Sequence, residues 1–84
     1  MAMGKYEKLV QRILAGRADA NVGFDDLCNL LLRLGFETRT SGSHHIFRKQ
    51  GVEEKVNLRK DGNKAKPYQV RQVRRLILKY GLGG

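Results

Sequence analysis

The chain has 84 residues and a mass of 9.5 kDa, which is enough for one domain, 1–84, with a small core. Its residues are 40% hydrophobic and 30% charged, a balance that excludes a disordered chain. The sequence lacks an apolar run long enough to cross a membrane and an apolar signal segment at its start. Its single cysteine, Cys28, excludes an intrachain disulfide, and we expect a cytoplasmic protein.

Helical periodicity predicts a first helix over residues 4–15 and a second over 24–34. Asp25 and Asp26 lie in the first turn of the second helix, where carboxylates complement exposed amides. The apolar residues of this helix cover more than one stripe, so we expect it to touch both the first helix and a sheet.

Three strands are predicted over residues 36–40, 44–49 and 53–59. The turn signals between them are short, which favours an antiparallel meander. Pro67 suits the first turn of a closing helix that ends before Gly81. The predicted order is α-α-β-β-β-α, an α+β fold with helices on one face of a three-stranded antiparallel sheet.

The positive charge is confined to the second half of the chain. Residues 1–38 hold five basic and five acidic side chains, whereas residues 39–84 hold twelve and three, which accounts for the whole net charge of +9. The electrostatic field of so many positive charges attracts polyanions, and the phosphate backbone of RNA or DNA is the first candidate. A solvated basic surface that binds no nucleic acid is the alternative. The helices leave no wide apolar face for an anionic membrane.

The two histidines of the chain lie at the start of the second strand, directly after the turn at Gly42 and Ser43. Neighbours in a strand point to opposite faces, so His44 shares one face with Arg48 while His45 shares the other with Phe47. A histidine beside a phosphodiester can act as general base or acid, and RNA supplies its own 2′-hydroxyl nucleophile. From residue types alone, two hydrogen-bonding surface histidines are the simpler interpretation.

Other polar clusters give weaker signals. The two histidines do not fit a metal site, because they face opposite ways and no cysteines or clustered carboxylates complete four ligands. Cys28 lies in an apolar helix and is predicted to be a core residue. The closing helix carries four basic residues that fit either phosphate contact or a solvated face: Arg71, Arg74, Arg75 and Lys79. Two lysines, Lys64 and Lys66, precede its N-terminus, where the exposed amides can also bind an anion.

Residues 24–27, 34–36 and 42–47, together with the closing helix over 68–82, resemble the HicA family, the mRNA interferase half of bacterial HicA–HicB toxin–antitoxin pairs. The most specific part is Gly42-Ser43-x-His45 followed by apolar strand residues. The resemblance covers residues 22–82 and implies a core like that of double-stranded-RNA-binding domains, α-β-β-β-α. The helix over 4–15 is then an addition that extends the small core.

The resemblance also implies an activity and a partner. The activity is cleavage of mRNA without a metal or other cofactor, and the partner is a HicB-type antitoxin that covers the active site. The family's catalytic histidine is the last residue of Gly-Ser-x-His, which maps to His45. Many members carry a Pro-Arg-His-type segment after the third strand, whereas this chain has Asn57-Leu58-Arg59-Lys60 there.

The resulting hypothesis is an endoribonuclease toxin in which His45 transfers the proton. The residues expected to contact RNA are Gly42, Ser43, His44, Arg48, Lys55, Arg59, Lys64, Lys66, Arg71 and Arg75. A non-catalytic RNA-binding module of the same fold is the alternative, since that fold reads A-form RNA through 2′-hydroxyls and phosphates. A protein whose basic surface docks an acidic partner is the third possibility.

Overall fold

The computed structural model describes residues 4–83, which form three α-helices and one three-stranded sheet. The elements are α1 (Lys5–Ala15), α2 (Phe24–Arg33), β1 (Glu37–Ser41), β2 (His44–Arg48), β3 (Val56–Arg59) and α3 (Pro67–Tyr80). A 3-10 turn over Asp19–Asn21 connects α1 to α2. The predicted α+β order is therefore confirmed. The ends of the predicted domain, at residues 1 and 84, lie outside the described residues.

The sheet is an antiparallel meander with the strand order β1-β2-β3, as predicted. A two-residue turn, Gly42 and Ser43, joins β1 to β2, and Gly42 has a φ of +60° at the first turn position, which glycine adopts without strain. This turn fixes the register, so that Ser41 pairs with His44 and Thr40 with His45.

The third strand is shorter than predicted, because residues 53–55 turn away from β2 towards the end of α3. The N–H of Glu53 donates to the Tyr80 hydroxyl at 3.4 Å, and that hydroxyl donates to Glu54 Oε1 at 2.5 Å. Lys79 Nζ donates to Glu54 Oε2 at 3.0 Å. The hydrogen bonds from Tyr80 and Lys79 hold the pKa of the Glu54 carboxyl below its ordinary value. Residues 53–55 are thus anchored to α3, and only Val56–Arg59 pair with β2.

The helices cover one face of the sheet. Phe47, Val56 and Leu58 point from the sheet into the core, whereas every residue of β1 is exposed. The buried apolar side chains are Leu9, Val10, Ile13, Val22, Phe24, Leu27, Leu30, Leu31, Phe36, Phe47, Val56, Leu58, Ala65, Val70, Val73, Leu76 and Ile77. Three of them come from α1, so the N-terminal helix belongs to the core. No helix within residues 4–83 has the length and apolar character to span a bilayer.

The apolar surface of α2 is only partly used, since Leu32 remains 43% exposed. The helix nevertheless contacts α1 and, through Phe24 packed on His45, the sheet, as expected, while α3 contacts α1, the 3-10 turn and β3.

Arg74 is not part of a solvent-facing basic surface, contrary to the expectation for α3. Its Nε donates to the carbonyl oxygen of Ile13 at 2.6 Å, and its guanidinium forms an ion pair with Asp19. Both side chains of this pair are only 19% exposed. Arg74 therefore joins α3 to the end of α1 and to the 3-10 turn, and this structural role removes it from the candidate phosphate contacts.

Replacing Arg74 with alanine is expected to lower the free energy of unfolding by about 2 kcal/mol, because Asp19 and the Ile13 carbonyl lose their charged donor. The neighbouring exposed Arg75 is the matched control, and Arg75→Ala is expected to change the free energy by less than about 0.5 kcal/mol. Urea denaturation followed by circular dichroism measures both. Equal effects of the two variants would contradict the structural role of Arg74.

Candidate active site

His45 lies at the boundary between the core and the solvent. It is half-buried on the helix-covered face of the sheet, where its neighbours in the register are Thr40 and Leu58. Its ring packs edge-on against Phe24 at the start of α2, with the centroids 5.3 Å apart and the planes at 67°. Nδ1 lies 3.4 Å from the Thr40 hydroxyl oxygen. Packing and this hydrogen bond orient the imidazole, and no residue in the described part of the chain hydrogen-bonds Nε2.

His44 lies on the opposite, open face of the sheet, as the alternation predicted. It is exposed, its Nδ1 lies 3.3 Å from Asn57 Oδ1, and it pairs with Arg59 in the sheet register. The two adjacent imidazoles therefore cannot act on the same substrate atom.

Lys60 is linked to His45 through the Phe24 ring and the β1–β2 turn. Its Nζ lies 5.9 Å from the centroid of the Phe24 ring, the same ring against which His45 packs, and 3.4 Å from Asp25 Oδ1. Its backbone N–H donates to the Ser43 carbonyl oxygen at 3.0 Å. Lys60 therefore links the turn before His45 to the first turn of α2, and the sequence analysis did not include it among the site residues.

The loop between β3 and α3 is docked on the segment before α2. The N–H of Phe24 donates to the carbonyl oxygen of Asn63 at 2.9 Å, and the N–H of Ala65 donates to that of Val22 at 2.8 Å. An isolated antiparallel bridge pairs Gly23 with Lys64 between these two bonds. The loop backbone thus holds Lys64 beside the start of α2 and hence at the His45 end of the sheet.

The first turn of α3 is fixed to the same end. Gln69 is fully buried, accepts a hydrogen bond from the Lys66 N–H at 3.0 Å and donates one to the Arg59 carbonyl oxygen at 3.2 Å. Lys66, the residue that precedes α3, also forms an ion pair with Asp61 at 3.1 Å. Of the predicted site residues, the structure brings these together around the turn: Gly42, Ser43, His44, His45, Arg59, Lys64 and Lys66.

The remaining predicted residues lie elsewhere. Arg48 is at the far end of β2, about 13 Å along the strand from His44, and lines an open-face groove with Lys55. Arg75 lies beside Glu54 and Lys79 near the end of α3, and Arg71 is exposed on the same helix. Alternation along β2 and the length of α3 separate these cations from the His45 end of the sheet.

The comparison with family models gives a match to the family described as HicA toxin of bacterial toxin-antitoxin, over residues 24–80. The chain belongs to the HicA toxin family. The match begins at Phe24 and ends at Tyr80, so it covers the whole α2-β1-β2-β3-α3 core and leaves α1 outside. Comparisons with curated proteins and with solved structures found no match. As a HicA toxin, the protein has an antitoxin as its partner.

The cysteine of this HicA toxin does not fit a nucleophile. Cys28 is half-buried in α2, and burial raises the pKa of its thiol to about 11, so the thiol is protonated at neutral pH. Within residues 4–83, the acidic, histidine and cysteine side chains form no group of three or more that could hold a metal ion.

Three residues of this region in the HicA toxin had not been expected from the sequence: Thr40 and Phe24, which contact the His45 imidazole, and Lys60, which lies over the Phe24 ring. Thr40 could have been found, because a two-residue turn at Gly42 and Ser43 places it opposite His45. The proximity of Phe24 and Lys60 has no local signal, since it depends on how α2 and the β3–α3 loop dock on the sheet.

Proposed function

We propose that this HicA toxin is an endoribonuclease that cleaves mRNA, with His45 as the residue that transfers the proton. The observation that supports this most is the position of the imidazole. It is held by Thr40 and Phe24, has Nε2 without a described protein partner, and packs on the same Phe24 ring that Lys60 covers. An oriented imidazole next to fixed positive charge is the arrangement that acid–base catalysis on a phosphodiester needs.

The proposed reaction uses the 2′-hydroxyl of RNA as the nucleophile. His45 accepts the proton of this hydroxyl while its oxygen attacks the adjacent phosphorus, and the bond between phosphorus and the 5′ oxygen breaks. The leaving oxygen takes a proton from the imidazolium or from water, which gives a 2′,3′-cyclic phosphate and a 5′-hydroxyl end. Lys60, which lies over the Phe24 ring on which His45 packs, stabilises the negative charge that develops on the phosphoryl oxygens. No metal ion or other cofactor takes part in this scheme.

The RNA contacts divide into two groups according to their distance from His45. Residues at the His45 end of the sheet would hold the scissile region: Gly42, Ser43, His44, Arg59, Lys64 and Lys66. The more distant cations would contact flanking phosphates of a longer strand: Arg48, Lys55, Arg71 and Arg75. An mRNA substrate implies that the toxin acts in the cytoplasm.

A HicB-type antitoxin is the proposed partner, and the His45 surface is the proposed site that it covers. Twelve of the seventeen basic residues follow residue 38, so a protein that covers this half must present acidic side chains to match the charge. A small reading frame of HicB type next to the toxin gene would support this pairing.

The proposed chemistry predicts that one 2′-deoxynucleotide on the 5′ side of the cleaved bond prevents cleavage at that bond, because it removes the nucleophile. Electrophoresis of end-labelled RNA and mass spectrometry of the product ends measure this, and an oligonucleotide with the deoxy substitution elsewhere is the control. Cleavage at the substituted bond, with 5′-phosphate ends, would contradict the scheme. RNA that is bound but stays intact would instead favour the non-catalytic RNA-binding module, which explains the basic surface equally well.

A further inference from the structure

A small groove lies next to the His45 site, between the β1–β2 turn, the end of β3 and the start of α3. Its volume is about 310 Å³, and it is lined by Ser43, Arg59, Lys60, Asp61, Lys66 and Tyr68. This volume is at the lower end of the range of roughly 300–1,000 Å³ typical of small-molecule sites. The groove therefore has room for one small polar ligand with a ring, and not for a folded partner segment.

Tyr68 gives the groove an aromatic surface. Of the six Phe and Tyr residues of the chain it is the only exposed one, with 56% of its surface accessible. Its backbone is held in the first turn of α3 by Pro67 and by the buried Gln69. A tyrosine ring fixed in this way is a platform on which a nucleic-acid base can stack, and such stacking tolerates any base.

The charge of the groove is suited to a phosphate. Three cations line it against one carboxylate, and two of them are already partnered, Lys60 with Asp25 and Lys66 with Asp61. Arg59 forms none of the ion pairs found among residues 4–83, so its guanidinium is available for an anion. A planar guanidinium is suited to bidentate contact with phosphate oxygens.

The groove is connected to the His45 site through Lys60. This lysine lines the groove, lies over the Phe24 ring on which His45 packs, and is hydrogen-bonded through its backbone to Ser43, two residues before His45. We propose that the groove binds one nucleotide of single-stranded RNA adjacent to the cleaved bond, with the base stacked on Tyr68 and its phosphate on Arg59. The identity of the ligand as RNA rests on the proposed function.

Because the chain has no tryptophan, Tyr68→Trp introduces a unique fluorescent reporter of base stacking. The variant is made together with His45→Ala so that RNA stays intact, and it is titrated with a short single-stranded oligoribonucleotide. Saturable quenching of the tryptophan fluorescence is expected. The matched control is Leu78→Trp on the same helix, where Leu78 is 66% exposed and does not line the groove, and its fluorescence is expected to be unchanged. Absence of quenching at position 68 would overturn the proposal.

Affinity measured by fluorescence anisotropy with labelled RNA gives an independent test in the same His45→Ala background. Tyr68→Ala is expected to weaken binding about tenfold, Tyr68→Phe to retain it because the ring remains, and Leu78→Ala to leave it unchanged. Equal affinities of Tyr68→Ala and Leu78→Ala would overturn the groove and leave the endoribonuclease untouched. Conversely, RNA that quenches the Tyr68→Trp variant but is never cut by the parent chain would support the groove and overturn the proposed enzyme.

Discussion

Replacement of His45 by alanine is expected to abolish growth arrest and to lower the rate of RNA cleavage by about 100- to 10,000-fold, the usual contribution of general acid–base catalysis. The fold should persist, because the imidazole is only half-buried at the edge of the core. Phe24, on which the imidazole packs, keeps its contacts with the other core residues. RNA affinity should also persist, because the surrounding cations are unchanged. Cleavage kinetics, circular dichroism and RNA binding of the purified variant measure the three quantities separately.

His44 provides the matched control for this prediction. It is the same residue type, one position away and on the open face of the sheet, where it contacts Asn57 and not the Phe24 ring. His44→Ala is expected to be clearly milder than His45→Ala in both toxicity and cleavage. Equal loss from the two variants would show that the assignment of the catalytic face is wrong, and parent-level toxicity of His45→Ala would rule out the enzyme.

Replacement of Phe24 by alanine is expected to lower the free energy of unfolding by about 3–5 kcal/mol, the usual cost of removing a large buried ring. Phe24 is 1% exposed, and its ring contacts both His45 and Lys60. Because small domains have only about 5–15 kcal/mol of stability in total, this single change removes a large part of it. Thermal and urea denaturation of the variant measure the loss.

Phe24→Leu separates the two roles of this ring. Leucine fills most of the cavity, so we expect a cost below about 1.5 kcal/mol, but it presents no aromatic ring to His45 or to Lys60. Cleavage by this folded variant is therefore expected to fall although the domain remains stable. A leucine variant as unstable as Phe24→Ala, or one with the full cleavage rate, would contradict the view that Phe24 orients the imidazole.

The helices were largely predictable because their signals are local. For α1, apolar spacing predicted the start to within one residue, and Gly16 marked the end. For α3, Pro67 marked the start and Gly81 the end. The third strand was predicted too long because no glycine or proline separates the charged residues 53–55 from the alternating segment Val56–Arg59. The contact of Glu54 with Tyr80, 26 residues later, ends the strand at its N-terminal side, and no local pattern records such a contact.

Alternation is a property of any extended strand, so it was enough to predict that His44 and His45 face opposite sides of the sheet. The resemblance to HicA toxins then indicated which of the two is the candidate. The groups in contact with that imidazole, and the cations at its end of the sheet, depend instead on long-range packing. Phe24, Lys60 and Lys64 reach the His45 end through the docking of α2 and the β3–α3 loop, while Arg74 is withdrawn into an ion pair with Asp19. Such contacts join residues far apart in the chain, so they depend on how the whole core packs and not on any local pattern.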